Sequence, residues 1–277
     1  MITANQQKAE ISEAYQQLPK SQMWINEAFF GFNQIKDSLA RLSPQSKVLE
    51  VGCGSGILLN LIKMNHPNLN IHGVEPLGDG FSQLSDYHQI LKDKNITLFR
   101  SSYEDLLTND ENYDFIFLIN VFEHLKDWKD FLRFVSKKLN KNAQCLILCP
   151  NYSFPLESHF KVPIIFNKKI TFFIFKNKIL KFEKDNNCYG LWDSLNFVKF
   201  NQVEKELQGQ NLDLKFDTQI IDDLINRISN DESFKERQKI IGIIANFLNK
   251  IGILSILKTK VFRGFSPYMK LSLSRRI

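Results

Sequence analysis

Three glycines at alternate positions close a short apolar strand in Lys47-Val-Leu-Glu50-Val-Gly52-Cys53-Gly54-Ser-Gly56, and the apolar run Ile57-Leu-Leu59 follows at once. Only glycine combines a free φ with the missing side chain that lets backbone approach a ligand closely. A strand, a glycine turn and a helix-like run together open a βαβ crossover. The chain is thereby directed to a parallel sheet with its ligand at the carboxyl ends of the strands. The next apolar run, Ile71-His-Gly-Val74, ends on Glu75, whose carboxylate can accept two hydrogen bonds from a ribose diol.

The spacing discriminates between cofactors. A dinucleotide loop reads G-x-G-x-x-G and offers a helix N-terminus to a pyrophosphate. Here the pattern is E-x-G-x-G-x-G, with Glu50 two residues ahead of the first glycine. A carboxylate so placed repels a pyrophosphate and suits a cationic ligand, such as one bearing an amino group and a sulfonium. A glycine turn with no ligand is the alternative. At Val48–Gly56 the chain resembles the class I S-adenosylmethionine-dependent methyltransferases. A second likeness lies in Tyr113-Asp-Phe-Ile-Phe-Leu-Ile-Asn120-Val-Phe-Glu123-His124, where the family starts strand 4 with an aromatic-Asp pair and follows it with an acidic-His pair. Within that family the motif is closest to small-molecule O-methyltransferases of the ubiquinone-pathway type.

The resemblance implies a site. Gly52, Cys53, Gly54 and Gly56 would pass beneath the methionine portion of S-adenosyl-L-methionine, with Glu50 beside them. Glu75 and Pro76 would hold the ribose. Ser102 and Tyr103 would meet the adenine, although Ser102 stands where the family often has Asp. Asn120 would reach the methionine part, and Leu77 would pack on the adenine face. Glu104 and Asp105 read equally well as a solvated helix start, and Asp114 as structural.

His124 and His159 are the candidate catalytic bases, because imidazole can take a hydroxyl proton near neutral pH. A helix-capping His124 is the bland alternative. Some relatives carry Glu-x-x-Glu-His for a divalent cation. Here Asn120 replaces the first carboxylate, which lowers the charge available to a hard cation. No bound metal is therefore expected, and a cation at Asn120, Glu123, His124 and His159 stays the alternative. Methyl transfer from a sulfonium is an in-line displacement that asks mainly for positioning. O-methylation is expected, because bases are at hand and no Asn/Asp-Pro-Pro-Tyr signature of amino-group methylation is present. The other readings are an RNA-end methyltransferase, which lacks a recognisable RNA-binding domain here, and a non-catalytic module that keeps the fold.

With 277 residues the chain can bury one large core. The polar N-terminus shows no signal peptide, and the four cysteines form no double C-x-x-C, so reduced thiols and a cytoplasmic location are expected. The net charge of +6 is a mild excess that compositional drift alone could produce.

Periodicity predicts an N-terminal helical cap over 1–46, with helices at Ala9–Leu18 and Trp24–Leu42, then a methyltransferase domain over 47–277. Its expected strands are Lys47–Val51, Asn70–Val74, Ile96–Arg100, Tyr113–Asn120, Gln144–Cys149, Leu212–Ile221 and Tyr268–Ser274, the last antiparallel. Helices are expected at Ile57–Met64, Phe81–Leu91, Trp128–Leu139 and Leu195–Leu207. The fold class is α/β: a seven-stranded, mostly parallel, doubly wound sheet. Insertions at about 151–200 and 222–262 elaborate it.

Two elaborations are basic and apolar. Residues 161–184 hold seven lysines, one acid (Glu183) and five phenylalanines. They read as a lid with lysines outward, as a membrane surface, or as a grip on nucleic acid. Ile240–Leu257, broken by Asn246, Asn249 and Lys250, reads as an amphipathic helix with basic flanks over 235–263, packed in the core or lying on a membrane. The expected acceptor is a small molecule, a glycan or a lipid-linked molecule. Peripheral contact with the inner membrane surface is possible through either basic segment, and nucleic acid is not favoured.

Overall fold

The computed structural model describes residues 4–77, 87–92, 94–237, 242, 249–250 and 252–276. The strands are β1 (Lys47–Val51), β2 (Asn70–Val74), β3 (Thr97–Phe99), β4 (Tyr113–Ile119), β5 (Leu139–Pro150), the short β6 (Leu156–Glu157) and β7 (Val162–Pro163), β8 (Leu212–Phe216) and β9 (Tyr268–Arg275). Seven of them form one sheet in the order β3-β2-β1-β4-β5-β9-β8, while β6 and β7 pair separately. β1 runs parallel to β2 and β4, and β2 parallel to β3, with Glu50 opposite Gly73 on one side and Phe117 on the other. The chain winds one way from β1 to β3 and returns to the other side of β1 with β4. Such a switch point is where an open α/β sheet binds its ligand.

The helices are α1 (Ala4–Ala14), α2 (Ser21–Leu39), α3 (Ile57–Asn65), α4 (His88–Lys92), α5 (Trp128–Lys138), α6 (Lys168–Asn186), α7 (Leu191–Ser194), α8 (Phe200–Leu207), α9 (Ile220–Asn230), α10 (Glu232–Arg237) and α11 (Ile253–Leu257). Among the described residues no helix is long and apolar enough to cross a membrane.

The chain divides into two compact units, residues 1–119, 130–146 and 273–277 in the first and residues 120–129 and 147–272 in the second. In the first, β1 and β4 bury Val48, Leu49, Phe115, Ile116 and Phe117 as a continuous apolar run, as a strand covered on both faces requires. Asp114 is structural: its carboxylate accepts from the Lys47 backbone N–H and the Asn140 side chain, both at 2.8 Å. In the second unit the core gathers Tyr152, Phe160, Val162, Ile179, Trp192 and Leu195.

Several boundaries depart from the periodicity. The expected strand Leu212–Ile221 stops at Phe216, and Ile220 and Ile221 instead open α9, whose buried Ile220, Ile221, Arg227 and Ile228 recur at helical spacing. The expected helix Leu195–Leu207 begins only at Phe200, because the Asn196 side chain accepts the Val198 N–H and Phe197 takes a left-handed φ of 56°, which breaks the helical path. The first two helices start earlier than expected and end earlier, at Ala14 and Leu39. β5 starts at Leu139, where a helix end was expected. The segment 161–184 is largely helical, α6, kinked at Phe175 (φ −106°, ψ 16°) and capped by the Asn167 side chain on the Ile170 N–H at 3.0 Å. Of the expected helices Phe81–Leu91 and Ile240–Leu257, residues 81–86 and most of 240–251 lie outside the described residues.

Candidate functional site

The first unit builds the glycine loop. Gly52, Gly54 and Gly56 all hold φ in the left-handed region, at 77°, 52° and 75°. At Gly56 a Cβ would also lie 2.0 Å from Leu91 Cδ1. Glycine is therefore required there by both backbone and space. The loop is fastened by Glu75: one carboxylate oxygen accepts from the Gly54 N–H and the other from the Leu77 N–H, each at 3.0 Å. His88 holds its other side, donating Nε2–H to the Gly54 carbonyl at 2.7 Å.

Glu50 is buried beneath the loop, and its Oε2 has no hydrogen-bond partner among the described residues. Burial, reinforced by the Glu75 carboxylate, pushes the Glu50 carboxyl well above its ordinary range. The thiol of Cys53 is buried and pushed up by that burial and then by the Glu50 and Glu75 carboxylates, so it is not a reactive nucleophile. Ser102 and Tyr103 do not present free side chains. Ser102 closes a capping box with Asp105, whose carboxylate accepts from its N–H at 3.2 Å. Tyr103 is buried edge-on against Phe131 and Phe134. Pro76 is exposed, and Leu77 sits at φ 52°.

The second unit brings together Glu123, His124 and His159. Their nitrogen and oxygen donor atoms lie within 4.8 Å of one another, a spacing a divalent cation could bridge. Glu123 is fully buried, and both its oxygens lack a hydrogen-bond partner among the described residues. Burial pushes its carboxyl up to about 7, against the pull of the His159 charge, with Glu157 adding to the rise. His124 Nδ1 lies 2.8 Å from Ser194 Oγ, and burial, then the neighbouring His159, lower the imidazole to about 3. His159 faces His124 edge-on at 5.5 Å.

His159 differs from His124. Its Nδ1 is 2.7 Å from Glu157 Oε1, an oxygen that also accepts the His159 backbone N–H, while Oε2 takes the Phe160 N–H. A carboxylate already accepting backbone donors makes Nδ1 the donor and leaves Nε2 as the basic nitrogen. Burial works against the charged imidazole. The hydrogen bond and charge of Glu157, with the charge of Glu123, outweigh it and raise His159 above its ordinary value.

The turn carrying Glu123 and His124 is clasped by Asn196. Its Nδ2 donates to the Phe122 and Leu125 carbonyls at 2.8 and 3.1 Å, and its N–H donates to the Glu123 carbonyl at 2.8 Å. Lys168 from α6 in turn donates to the Asp193 and Leu195 carbonyls. Asn120 sits at φ 55°, donates its N–H to the Leu148 carbonyl, and buries an Oδ1 without a partner among the described residues.

The sequence singles out the glycines, Glu50, Glu75 and the two histidines, but not His88, Glu157, Ser194 and Asn196, which hydrogen-bond to them or to the turn that carries His124. Glu157 alone has a visible signal, the Glu-Ser-His spacing. His88 and Ser194 lie on the short helices α4 and α7 and Asn196 in a loop, each far along the chain from its partner and with no local motif.

Residues 28–178 match the family described as a methyltransferase domain. An uncharacterised protein of Mycobacterium tuberculosis is 31% identical over 216 residues, covering 76% of this chain and 73% of that protein. Among solved structures, the plantazolicin methyltransferase BpumL in complex with SAH superposes with a TM-score of 0.52 at 12% identity, over 98% of this chain and 95% of that one. The O-methyltransferase of a trans-AT PKS multienzyme of Brevibacillus brevis, in complex with S-adenosyl-L-homocysteine, superposes with a TM-score of 0.51 at 14% identity, over 98% and 79%. At these identities the two structures share the fold.

Proposed function

The chain belongs to the methyltransferase domain family, and we propose that it transfers the methyl group of S-adenosylmethionine to a hydroxyl oxygen of a small-molecule, glycan or lipid-linked acceptor. The first unit fits the cofactor. Glu50 is a buried carboxyl with an orphaned oxygen, and a cationic ligand group would supply the missing partner. Glu75 spends one lone pair of each oxygen on the loop and keeps the others for a ribose diol. Gly52, Cys53, Gly54, Gly56, Pro76, Ser102, Tyr103 and Asn120 complete the proposed cofactor set. When bound, the cofactor supplies a methyl group already activated on a sulfonium.

The observation that carries O-methylation is the Glu157–His159 pair. An alcohol must lose its proton as it is methylated. His159 Nε2 is a base whose strength and orientation Glu157 sets. His124, held neutral at physiological pH, is suited to orient the acceptor through Nε2, which lies 3.9 Å from Glu123 Oε1. The test is calorimetric titration with S-adenosylmethionine followed by a panel of hydroxylated and aminated acceptors, with products read by mass spectrometry. No cofactor binding would sink the methyltransferase reading, and methylated nitrogen alone would sink the choice of oxygen.

A second reading has one specific support. Both oxygens of buried Glu123 lack a partner beside two histidines, so a divalent cation could take the acceptor oxygen in place of a free base. Activity that disappears on chelation and returns with added Mg²⁺ or Zn²⁺ would decide for it.

A further inference from the structure

The helix α6 is apolar on two faces, and one core accounts for only one of them. Phe172, Phe175, Ile179 and Phe182 turn to the second unit's core, where Phe182 meets Phe160 at 5.0 Å and Phe172 meets Trp192 at 5.9 Å. The opposite face leaves Ile170, Phe173, Ile174 and Leu180 exposed, and Phe166 stands out just before the helix. Phe166 and Phe173 are 87% and 83% exposed, unusual for residues of that size.

The charge around this face is one-sided. The helix holds six lysines against Glu183 and Asp185, and Glu183 is buried on the core side, accepting the Trp192 N–H. Lys169, Phe173, Lys176, Leu180 and Lys184 follow one another at intervals of three and four residues on either side of the Phe175 kink, so cation and hydrocarbon alternate along the exposed side. All five are exposed. Lysines placed so can lay their stems along an apolar phase and keep their ammonium groups at its polar edge.

We propose that the exposed face of α6, with Phe166, docks on the surface of an anionic lipid bilayer, lying in its interface. The pattern separates this occupant from the others. Two copies of the chain would bring like-charged lysine rows together across a two-fold axis, which is unfavourable. Single-stranded nucleic acid would use the lysines, but Ile170, Ile174 and Leu180 offer no ring face for a base to stack on. A bilayer takes the whole set: phosphate groups for the lysines and acyl chains for Phe, Ile and Leu. This inference goes beyond the methyl-transfer reading and is tested without it.

The test uses the full chain in flotation with vesicles of phosphatidylcholine alone and of phosphatidylcholine with phosphatidylglycerol, over a salt series. Binding is expected to the anionic vesicles and to weaken as salt rises. The double variant Phe166→Ser/Phe173→Ser and the triple variant Lys169→Gln/Lys176→Gln/Lys181→Gln are each expected to lose binding by about tenfold or more. These side chains are exposed, so an unchanged melting temperature should accompany the loss. The proposal is overturned by absent binding to anionic vesicles at low salt, or by binding that the Phe variant leaves intact. It is equally overturned by a concentration-dependent dimer that the Phe variant abolishes, or by an RNA oligonucleotide that competes the protein off the vesicles.

Discussion

Glu157 Oε1 accepts the His159 Nδ1–H at 2.7 Å and, in the same turn, the His159 backbone N–H at 3.1 Å. One carboxylate oxygen thus fixes both the position and the tautomer of the imidazole. As a base His159 must be neutral, and Glu157 holds its pKa above the ordinary 6.5. Activity should fall as pH drops through that raised value. In Glu157→Gln the acidic limb of the kcat/KM profile should move to lower pH while kcat falls. His159→Ala should lose about 10²-fold in kcat with cofactor affinity retained. An acidic limb that stays in place in Glu157→Gln would show that Glu157 acts only on structure.

The Glu75 carboxylate joins the Gly54 and Leu77 amides, so its removal acts twice. Glu75→Ala should destabilise the ligand-free protein by about 1–3 kcal/mol through the orphaned amides. It should also weaken S-adenosylmethionine by about tenfold to a hundredfold, since charge-assisted hydrogen bonds are lost with it. Calorimetry and thermal melting separate the two effects. Glu75→Gln, which keeps one acceptor oxygen, should fall between wild type and Glu75→Ala in both.

Gly56→Ala meets two obstacles, a φ of 75° and Leu91 Cδ1 at 2.0 Å. The backbone alone costs about 1–2 kcal/mol. Adding Leu91→Ala should relieve the clash and leave the backbone cost, so the double variant should be more stable than the sum of the two single changes allows. Additive melting shifts would remove the clash from the account.

Buried Glu123 and His124 oppose each other in acid. His124, lowered to about 3, costs stability as pH falls below 6.5. Glu123, raised to about 7 from 4.5, stabilises the fold in acid and loses that contribution as pH rises through 7, worth about 3 kcal/mol at most. Between 4.5 and 6.5 the slopes of these two groups oppose each other. Glu123→Gln removes the falling one, so its stability should climb more steeply with pH than that of wild type and exceed it at pH 8. Denaturant melts across pH would read it.

How much was legible follows from where each constraint sits. β1, β2 and the glycine loop are written in consecutive residues, and Lys47–Val51 and Asn70–Val74 fall where their apolar runs place them. Glu75 is equally plain, because it must end the neighbouring strand. Asn196 and His88 were not legible. Each acts on backbone carbonyls of a loop dozens of residues away, and nothing in its own neighbourhood marks that distant partner. The apolar residues of α6 were visible, but their division between two faces depends on which face finds a core. Ile220 and Ile221 show the reverse error: two apolar residues beside a strand carry no period, and α9 claims them.

Glu50 has a consequence for the energetics of ligand capture. A carboxyl pushed well above its ordinary range by burial and by Glu75 keeps its proton to higher pH than a solvated one. A cation arriving beside it favours the carboxylate, so the proton leaves to solvent. Capture at this loop is then an exchange of one positive charge for another. Its measured heat should vary with the ionisation enthalpy of the buffer, and its affinity should decline in acid. Glu50→Gln, with no proton to give, should bind with a heat that is the same in every buffer.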